Sequence, residues 1–378
     1  MQIYFAPLEG ITGFAYRNVH RQFFGEEIDK YFSPFAAPNY THNFKTRERE
    51  DIDPANNEGV RLVPQILTNR AGDFLWAAKE MYEMGYREIN LNLGCPMPTV
   101  VKKGRGSGQL GDLDALDLFL EEICEGMHLM QIPPRIPDSD FDNSDSDRCD
   151  PDNSDSDGCD SGNCRFAGCD FDKRGFNKRD SVNADEKLRF TVKTRIGFED
   201  AGRAEALLDI YNRYPIWELT VHPRTQRDLY GGTPDLETFS MFLEKSTHPV
   251  VYNGDIFSRE DYEKIRARFP ECGAVMIGRG LIADPALARE LKGGALLQKE
   301  ELRSFHDAVY ESLKKTLPGQ APLMGKMKEL WFYMGRNFDG ADRFLKEIRK
   351  AKNEIQYRAA VRTMFVNCRL KTEEQEGV

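Results

Sequence analysis

A (β/α)8 barrel followed by a small C-terminal all-helical domain is the α/β architecture that this 378-residue sequence predicts. Three observations predict it. Eight short, apolar, β-rich runs follow one another along the chain. Amphipathic stretches with helical spacing separate them. From Glu300 onward the strand pattern stops and only helical periodicity remains.

The eight runs are Ile3–Ala6, Tyr31–Pro34, Leu62–Ile66, Ile89–Leu93, Phe190–Thr194, Glu218–His222, Val250–Asn253 and Ala274–Ile277. Most carry few charges, as parallel strands covered on both faces do. Between them, Ala71–Met84, Leu113–Met127, Ala204–Tyr214 and Arg259–Phe269 read as helices. In the second of these, Leu116, Phe119, Leu120 and Ile123 recur on one helical face. An open doubly wound sheet competes with the barrel, but its G-x-G-x-x-G fingerprint is absent after the first run. Beyond Glu300, Leu330, Tyr333 and Met334, then Phe344, Leu345 and Ile348, mark three or four helices. The expected domains are a barrel over 1–295 and a basic helical domain over 300–378.

The barrel is interrupted once, over 136–187. Residues 141–150 (FDNSDSDRCD) and 151–160 (PDNSDSDGCD) form a near-perfect tandem decapeptide, and Phe166, Phe171 and Phe176 then recur every five residues. This acidic, low-complexity segment reads as a disordered insertion. A cation-binding loop is the sharper alternative, but the Gly and Glu placement of an EF-hand is missing. With those 52 residues set aside, 243 remain up to Ala295, close to the ~250 of an ordinary barrel. Between a helix and the next strand, the insertion should emerge at the N-terminal rim, away from the mouth.

Hydrophobic residues make up 40% of the chain and charged residues 30%, which supports a sizeable core and excludes wholesale disorder. The net charge of −10 is unevenly placed: residues 137–187 contribute −8, whereas residues 314–371 hold 14 Lys and Arg against 5 acids. A basic helical segment on an acidic chain points to an anionic partner. MQIYFAPLEG lacks the basic and apolar regions of a secretory signal, and no apolar run approaches the ~20 residues of a membrane span. A cytoplasmic protein without membrane attachment is the expectation. Cys149, Cys159, Cys164 and Cys169 lie in the insertion, and Cys95, Cys124, Cys272 and Cys368 are scattered. That is no disulfide scaffold, and no C-x-x-C spacing suggests a metal.

Barrel active sites lie at the C-terminal ends of the strands. Polar groups stand at nearly every one of these ends. Pro7-Leu8-Glu9-Gly10 follows the first run, Gln65 lies in the third, and Asn92-Leu93-Gly94-Cys95-Pro96 closes the fourth. Lys193 and Arg195 mark the fifth, His222-Pro223-Arg224-Thr225 the sixth, Asn253-Gly254-Asp255 the seventh and Gly278-Arg279-Gly280 the eighth. An unpaired ammonium inside a barrel is costly, so Lys193 wants an anionic or polar partner. The glycine turns after runs seven and eight suit phosphate, with backbone N–H groups close by and charge from Arg279. Cys95, beside the basic loop Val101–Gly106, could be a nucleophile, a metal ligand or a general acid. An unperturbed thiol, pKa about 8.5, is mostly protonated at neutral pH and suits proton donation as well as attack.

The strings APLEGITGFAYR (6–17), VPQIL (63–67), INLNLGCPMPTVVKKGRGSGQL (89–110), VKTRIGF (192–198), VHPRT (221–225), VYNGDI (251–256) and AVMIGRGLI (274–282) together resemble the tRNA-dihydrouridine synthase family. MGKMKELWFYMGRNF is similar to the start of that family's helical tRNA-binding domain. The resemblance implies non-covalent FMN, with NADPH, or NAD(P)H more broadly, as reductant. Pro7, Leu8 and Glu9 would line the flavin through their backbone. Gln65 and Lys193 would bond its ring and ribityl region, helped by His222. Asn253, Gly254, Asp255, Gly278 and Arg279 would hold the ribityl chain and phosphate. Cys95 would give a proton to C5 of a flipped uracil as hydride reaches C6, with Asn92, Arg195 and Arg224 touching the base. The partner is tRNA, held through phosphates and shape; no obligate protein partner is implied. His-Pro-Arg-Thr stands where the family has His-Gly-Arg-Thr, and the acidic insertion is not part of the family pattern. A flavin barrel acting on a free pyrimidine and a non-catalytic RNA-binding protein are the rival readings. The basic tail speaks against the first, and Cys95 in its loop against the second.

Overall fold

The computed structural model describes residues 1–129 and 188–372; the predicted insertion over 136–187 lies outside them. Eight parallel strands close a barrel in sequence order. They are β1 (Gln2–Phe5), β2 (Lys30–Ala36), β3 (Leu62–Ile66), β4 (Glu88–Leu93), β5 (Arg189–Arg195), β6 (Leu219–His222), β7 (Val250–Tyr252) and β8 (Ala274–Ile277). Pairing of β1 with β8, from Gln2↔Ala274 to Phe5↔Ile277, shuts the ring. All eight predicted runs are strands. The largest difference is at β2, which continues past Pro34. Proline cannot donate to the ladder, and the β2–β3 register shifts between Phe32 and Phe35 to pass it.

Fourteen α-helices accompany the strands among the described residues. Those around the barrel are α1 (Phe14–Phe24), α2 (Thr46–Ile52), α3 (Ala71–Glu83), α4 (Pro98–Val101), α5 (Leu113–Leu129), α6 (Ala204–Tyr211), α7 (Leu236–Lys245), α8 (Arg259–Arg268), α9 (Arg279–Ala283) and α10 (Leu287–Leu291). The C-terminal set is α11 (Lys299–Thr316), α12 (Gln320–Met334), α13 (Asp342–Lys350) and α14 (Glu354–Asn367). No described helix is long and apolar enough to cross a membrane.

Tyr4, Ala6, Phe32, Val63, Val251, Ala274 and Met276 form a small buried cluster inside the ring, and a larger one lies between strands and helices and runs on into the C-terminal helices. Phe305 of α11 packs edge-on against Tyr16 and Phe24 of α1, at 5.7 and 5.4 Å between ring centres. Within the C-terminal set, Tyr357 donates its hydroxyl hydrogen to His306 Nε2 (2.7 Å) or accepts from it, and accepts the indole N–H of Trp331 (2.9 Å). A polar tie through the apolar bundle is thereby satisfied.

The N-terminal end of the barrel holds a charged cluster. Lys30 Nζ lies 2.7 Å from Glu88 and 3.5 Å from Glu218, and 4.9 Å above the Tyr4 ring. The Tyr4 hydroxyl lies 2.9 Å from Glu218. Burial pushes the Glu218 carboxyl above its ordinary pKa, while Lys30 opposes the shift. Removing one partner of a buried pair typically costs ~3–5 kcal/mol, because the other charge is left unpaired. Lys30→Met should therefore lower urea stability by an amount of that order, and adding Glu218→Gln should restore part of it. Equal urea midpoints for the single variant and the parent protein would contradict this role.

Candidate functional site at the barrel mouth

The mouth is organised by a chain of inward-facing polar side chains on β3, β4 and β5. The register pairs Gln65 with Asn90, Asn90 with Thr191, and Asn92 with Lys193. Thr191 Oγ1 donates to Ile89 O (3.2 Å) and accepts from Asn90 Nδ2 (2.8 Å). Asn90 Oδ1 accepts from Gln65 Nε2 (2.7 Å), and Gln65 Oε1 accepts from Asn92 Nδ2 (2.6 Å). Asn92 Oδ1 then receives the N–H groups of Gly94 (3.1 Å) and Cys95 (2.9 Å).

The Cys95 loop is fixed from its other side as well. Cys95 O accepts from Ser107 N (3.1 Å) and Ser107 Oγ (2.9 Å). Gly106 takes φ +57°, and a Cβ there would lie 2.8 Å from Cys95 O, so only glycine lets the two segments meet. Arg195 donates through Nε to Gly94 O (2.9 Å), and through its terminal nitrogens to Thr225 O and Leu229 O (both 2.6 Å). It thus ties the cysteine loop to the loop after β6. Cys95 itself is half-buried. Burial pushes its thiol pKa up, and the Glu9 carboxylate adds to the rise. The sulfur is therefore an S–H group at neutral pH.

Lys193, the register partner of Asn92 on β5, makes no ion pair or side-chain hydrogen bond among the described residues. Burial, then the neighbouring Arg195, brings its pKa down to about 7. His222 ends β6 and is held neutral, because burial and the Arg195 and Lys193 charges lower its pKa well below the ordinary range. Arg224 donates to His222 Nε2 (3.2 Å), so the ring proton sits on Nδ1. Arg224 also donates to Gly231 O (2.8 Å), Gly232 O (2.7 Å) and Asp255 Oδ2 (2.6 Å). The other Asp255 oxygen pairs with Arg279. Pro223 is accommodated in a tight turn in which Arg224 N donates to His222 O at 2.7 Å.

All the predicted positions do converge on one end of the barrel, but their environments differ. Gln65 is 0% exposed and Arg195 and Arg224 are each 1% exposed, so each supports its neighbours from below the surface. Asn92, 7% exposed, keeps one amide N–H unused by these bonds. Asn253 Nδ2 is tied to Met276 O (2.7 Å) and so joins β7 to β8. A Cβ at Gly254 would lie 2.0 Å from the Tyr252 hydroxyl, so that glycine makes room for a tyrosine. The N–H groups of Gly254, Asp255, Gly278 and Arg279 take part in none of the hydrogen bonds of the described residues. The Leu8 N–H is already used by Thr12 Oγ1 (2.8 Å), while its side chain lies 3.1 Å from where a Cβ of Gly278 would be.

One residue escaped the sequence reading. Tyr230, eight positions after His222, lies in a loop with no strand or motif of its own. Its ring stands between Arg195 (5.5 Å) and Arg279 (5.3 Å), tilted 6.3 Å from His222. The Gly231-Gly232 pair that follows it, whose carbonyls receive Arg224, was the signal available.

Residues 4–136 and 179–374 match the family model described as dihydrouridine synthase (Dus). The chain belongs to the dihydrouridine synthase family. It is 31% identical over 370 residues to the tRNA-dihydrouridine(16) synthase of Pseudomonas syringae pv. tomato, covering 93% of this chain and 95% of that one. It is 24% identical over 369 residues to the tRNA-dihydrouridine(16) synthase of Neisseria meningitidis serogroup B, covering 94% and 92%. Among solved structures, morphinone reductase superposes with a TM-score of 0.46 at 11% identity, over 79% of this chain and 87% of that one.

Two outcomes follow from this geometry for the synthase family member. Asn92→Ala should free the Cys95 backbone and speed iodoacetamide labelling of Cys95 several-fold at pH 8; an unchanged rate would remove Asn92 from the positioning role. The Lys193 pKa is lower folded than unfolded, so the folded site disfavours the ammonium. That penalty is full below about pH 7 and disappears as pH rises toward the unfolded value of about 10.4. In cofactor-free protein, Lys193→Met should melt higher than the parent at pH 6, with the gap closing by pH 10. A gap independent of pH would contradict the titration.

Proposed function

We propose that this chain is a tRNA-dihydrouridine synthase that reduces the C5–C6 double bond of one tRNA uridine, with FMN as its resident cofactor and NADPH as reductant. The observation that carries this reading is the pairing of a protonated, loop-fixed Cys95 thiol with an unpartnered Lys193 at one barrel mouth.

The residues fit a flavin mononucleotide. Lys193 offers an ammonium without a counter-charge to an electron-rich ring edge, which would raise its pKa again. His222 offers Nδ1–H. The free N–H groups of Gly254, Asp255, Gly278 and Arg279, with the Arg279 guanidinium, suit the phosphate. Pro7, Leu8 and Glu9 would border the ring; with the Leu8 N–H occupied, its side chain supplies the contact. Gln65 acts through Asn92, and Asn253 by holding β7 to β8. When bound, the cofactor supplies the hydride for C6.

The chain's own residues supply the rest. Asn92 gives its second amide N–H to a uracil carbonyl. Arg195 and Arg224 position the loops around the base rather than touching it. Cys95 donates its S–H proton to C5 and is reprotonated from solvent, so each turnover adds one hydride and one proton. The base must leave its stack to reach this depth, and the basic C-terminal region, residues 300–378, holds the RNA through phosphates. That basic balance favours tRNA over a free pyrimidine.

The first test is the absorbance spectrum of the purified protein. Visible flavin bands, with FMN released on denaturation, are expected. A colourless protein that FMN does not reconstitute would overturn the cofactor and site assignments together. With NADPH and unmodified tRNA, dihydrouridine should form; the relatives named for position 16 make that uridine the one to assay first. Cys95→Ala should lose about 10²-fold or more in kcat, the usual worth of a positioned general acid, with tRNA affinity kept. Full activity in that variant would sink the proton-donor role. Because the thiol pKa is raised, kcat should stay flat through neutral pH and fall only on the alkaline side. A fall between pH 6 and 8 would contradict a protonated donor.

A further inference from the structure

The exposed face of α12 carries residues that neither the barrel core nor the mouth uses. One end of it opens on a cavity of about 550 Å3 lined by Gln320, Ala321, Met324, Lys328, Lys350 and Lys352 among others, none of them acidic. Lys350, which ends α13, and Lys352, on the turn to α14, are exposed and make no side-chain hydrogen bond or ion pair among the described residues. Lys328 spans the cavity wall, donating to Ala351 O at 2.5 Å.

Residues 321, 325, 328 and 332 recur at intervals of three and four, so they share one face of the helix. Phe332 is 65% exposed, with the Tyr333 ring edge-on to it at 5.1 Å. Arg336 stacks over it at 5.5 Å and over Phe257 at 5.6 Å. Arg279 stacks over the other ring neighbour set: 5.4 Å from Phe257 and 5.3 Å from Tyr230. An alternation of rings and cations therefore leads from Phe332, one helical turn from Lys328 of the cavity, through Arg336, Phe257 and Arg279 to Tyr230 in the loop after β6.

We propose that this track holds an unpaired segment of the tRNA, with backbone phosphates at Lys328, Lys350 and Lys352 and one base stacked on Phe332. The proposal rests on the tRNA reading above and adds to it where the strand runs. Cations without acidic neighbours match phosphate charge, and exposed aromatic rings among cations take bases by stacking. An acidic protein surface would use the lysines but leave the ring unused. A duplex would keep its bases stacked on one another. Arg336 then links the strand to the barrel mouth through Phe257 and Arg279.

The test uses the full chain with unmodified tRNA. Lys350→Glu combined with Lys352→Glu should weaken tRNA binding and reduce the slope of log affinity against log salt by roughly 1.4, at ~0.7 per phosphate contact on a single strand. Phe332→Ser should raise KM for tRNA about tenfold, within the range for loss of one stacked base, while kcat at saturating tRNA is retained. Phe332→Trp should bind like the parent. All three side chains are exposed, so melting temperatures should be unaltered. If the parent protein reduces tRNA and the variants match it in affinity, salt slope and KM, the track is overturned and the functional reading stands. If the parent neither binds nor reduces tRNA, both fall.

Discussion

The cysteine at the barrel mouth is aimed by hydrogen bonds that begin a full strand away. Thr191 donates to Ile89 O, so its oxygen can only accept from the Asn90 amide nitrogen. That turns Asn90 Oδ1 toward Gln65, which turns Gln65 Oε1 toward Asn92. Asn92 is then left with its oxygen facing two backbone N–H groups, those of Gly94 and Cys95. A flip of any one amide would set donor against donor among side chains buried at 0–7% exposure. The chain is therefore directional, and the loop conformation is its last term.

Positive charge at the mouth is divided by the same logic. Arg195 and Arg224 are almost fully buried, and their guanidiniums are spent on loop carbonyls and on Asp255. Planar forks with several fixed donors suit that work. Lys193 is a point charge among them with nothing opposite, and burial, then the Arg195 charge, brings its pKa down to about 7. A buried ammonium held at such a cost is one that an anionic or polar partner can relieve, so stability and affinity are linked through one side chain. Tyr230 sits over both Arg195 and Arg279 and screens part of this charge from solvent.

The strands were legible because parallel strands covered on both faces read as short apolar runs, and the polar residues at their ends were legible by position alone. What each polar residue does was not. Arg195 and Gly94 are 101 positions apart, and so are Asn90 and Thr191; amide and guanidinium partners at that separation leave no local pattern. Gly254 read as a phosphate turn, yet the space it leaves is taken by Tyr252. Pro34 read as the end of β2, whereas a register shift carries the strand past it. Tyr230 has no periodic neighbour to announce it, since loop residues acquire roles from the scaffold that positions them.

The C-terminal helices meet the barrel at the same end as the site, and this constrains more than stability. Lys326 of α12 has its Nζ 3.0 Å from where a Cβ of Gly10 would stand, and Gly10 takes φ +79°. Asn337 donates to Ala283 O just beyond β8 (2.5 Å). Arg336 reaches the Phe257 ring after β7. Loops of β1, β7 and β8 are thus each in contact with α12 or the turn that ends it. A polynucleotide held on α12 would meet the barrel at an angle fixed by these three contacts, and not by a flexible linker. Choice of one uridine among many would then follow from rigid geometry between the two surfaces.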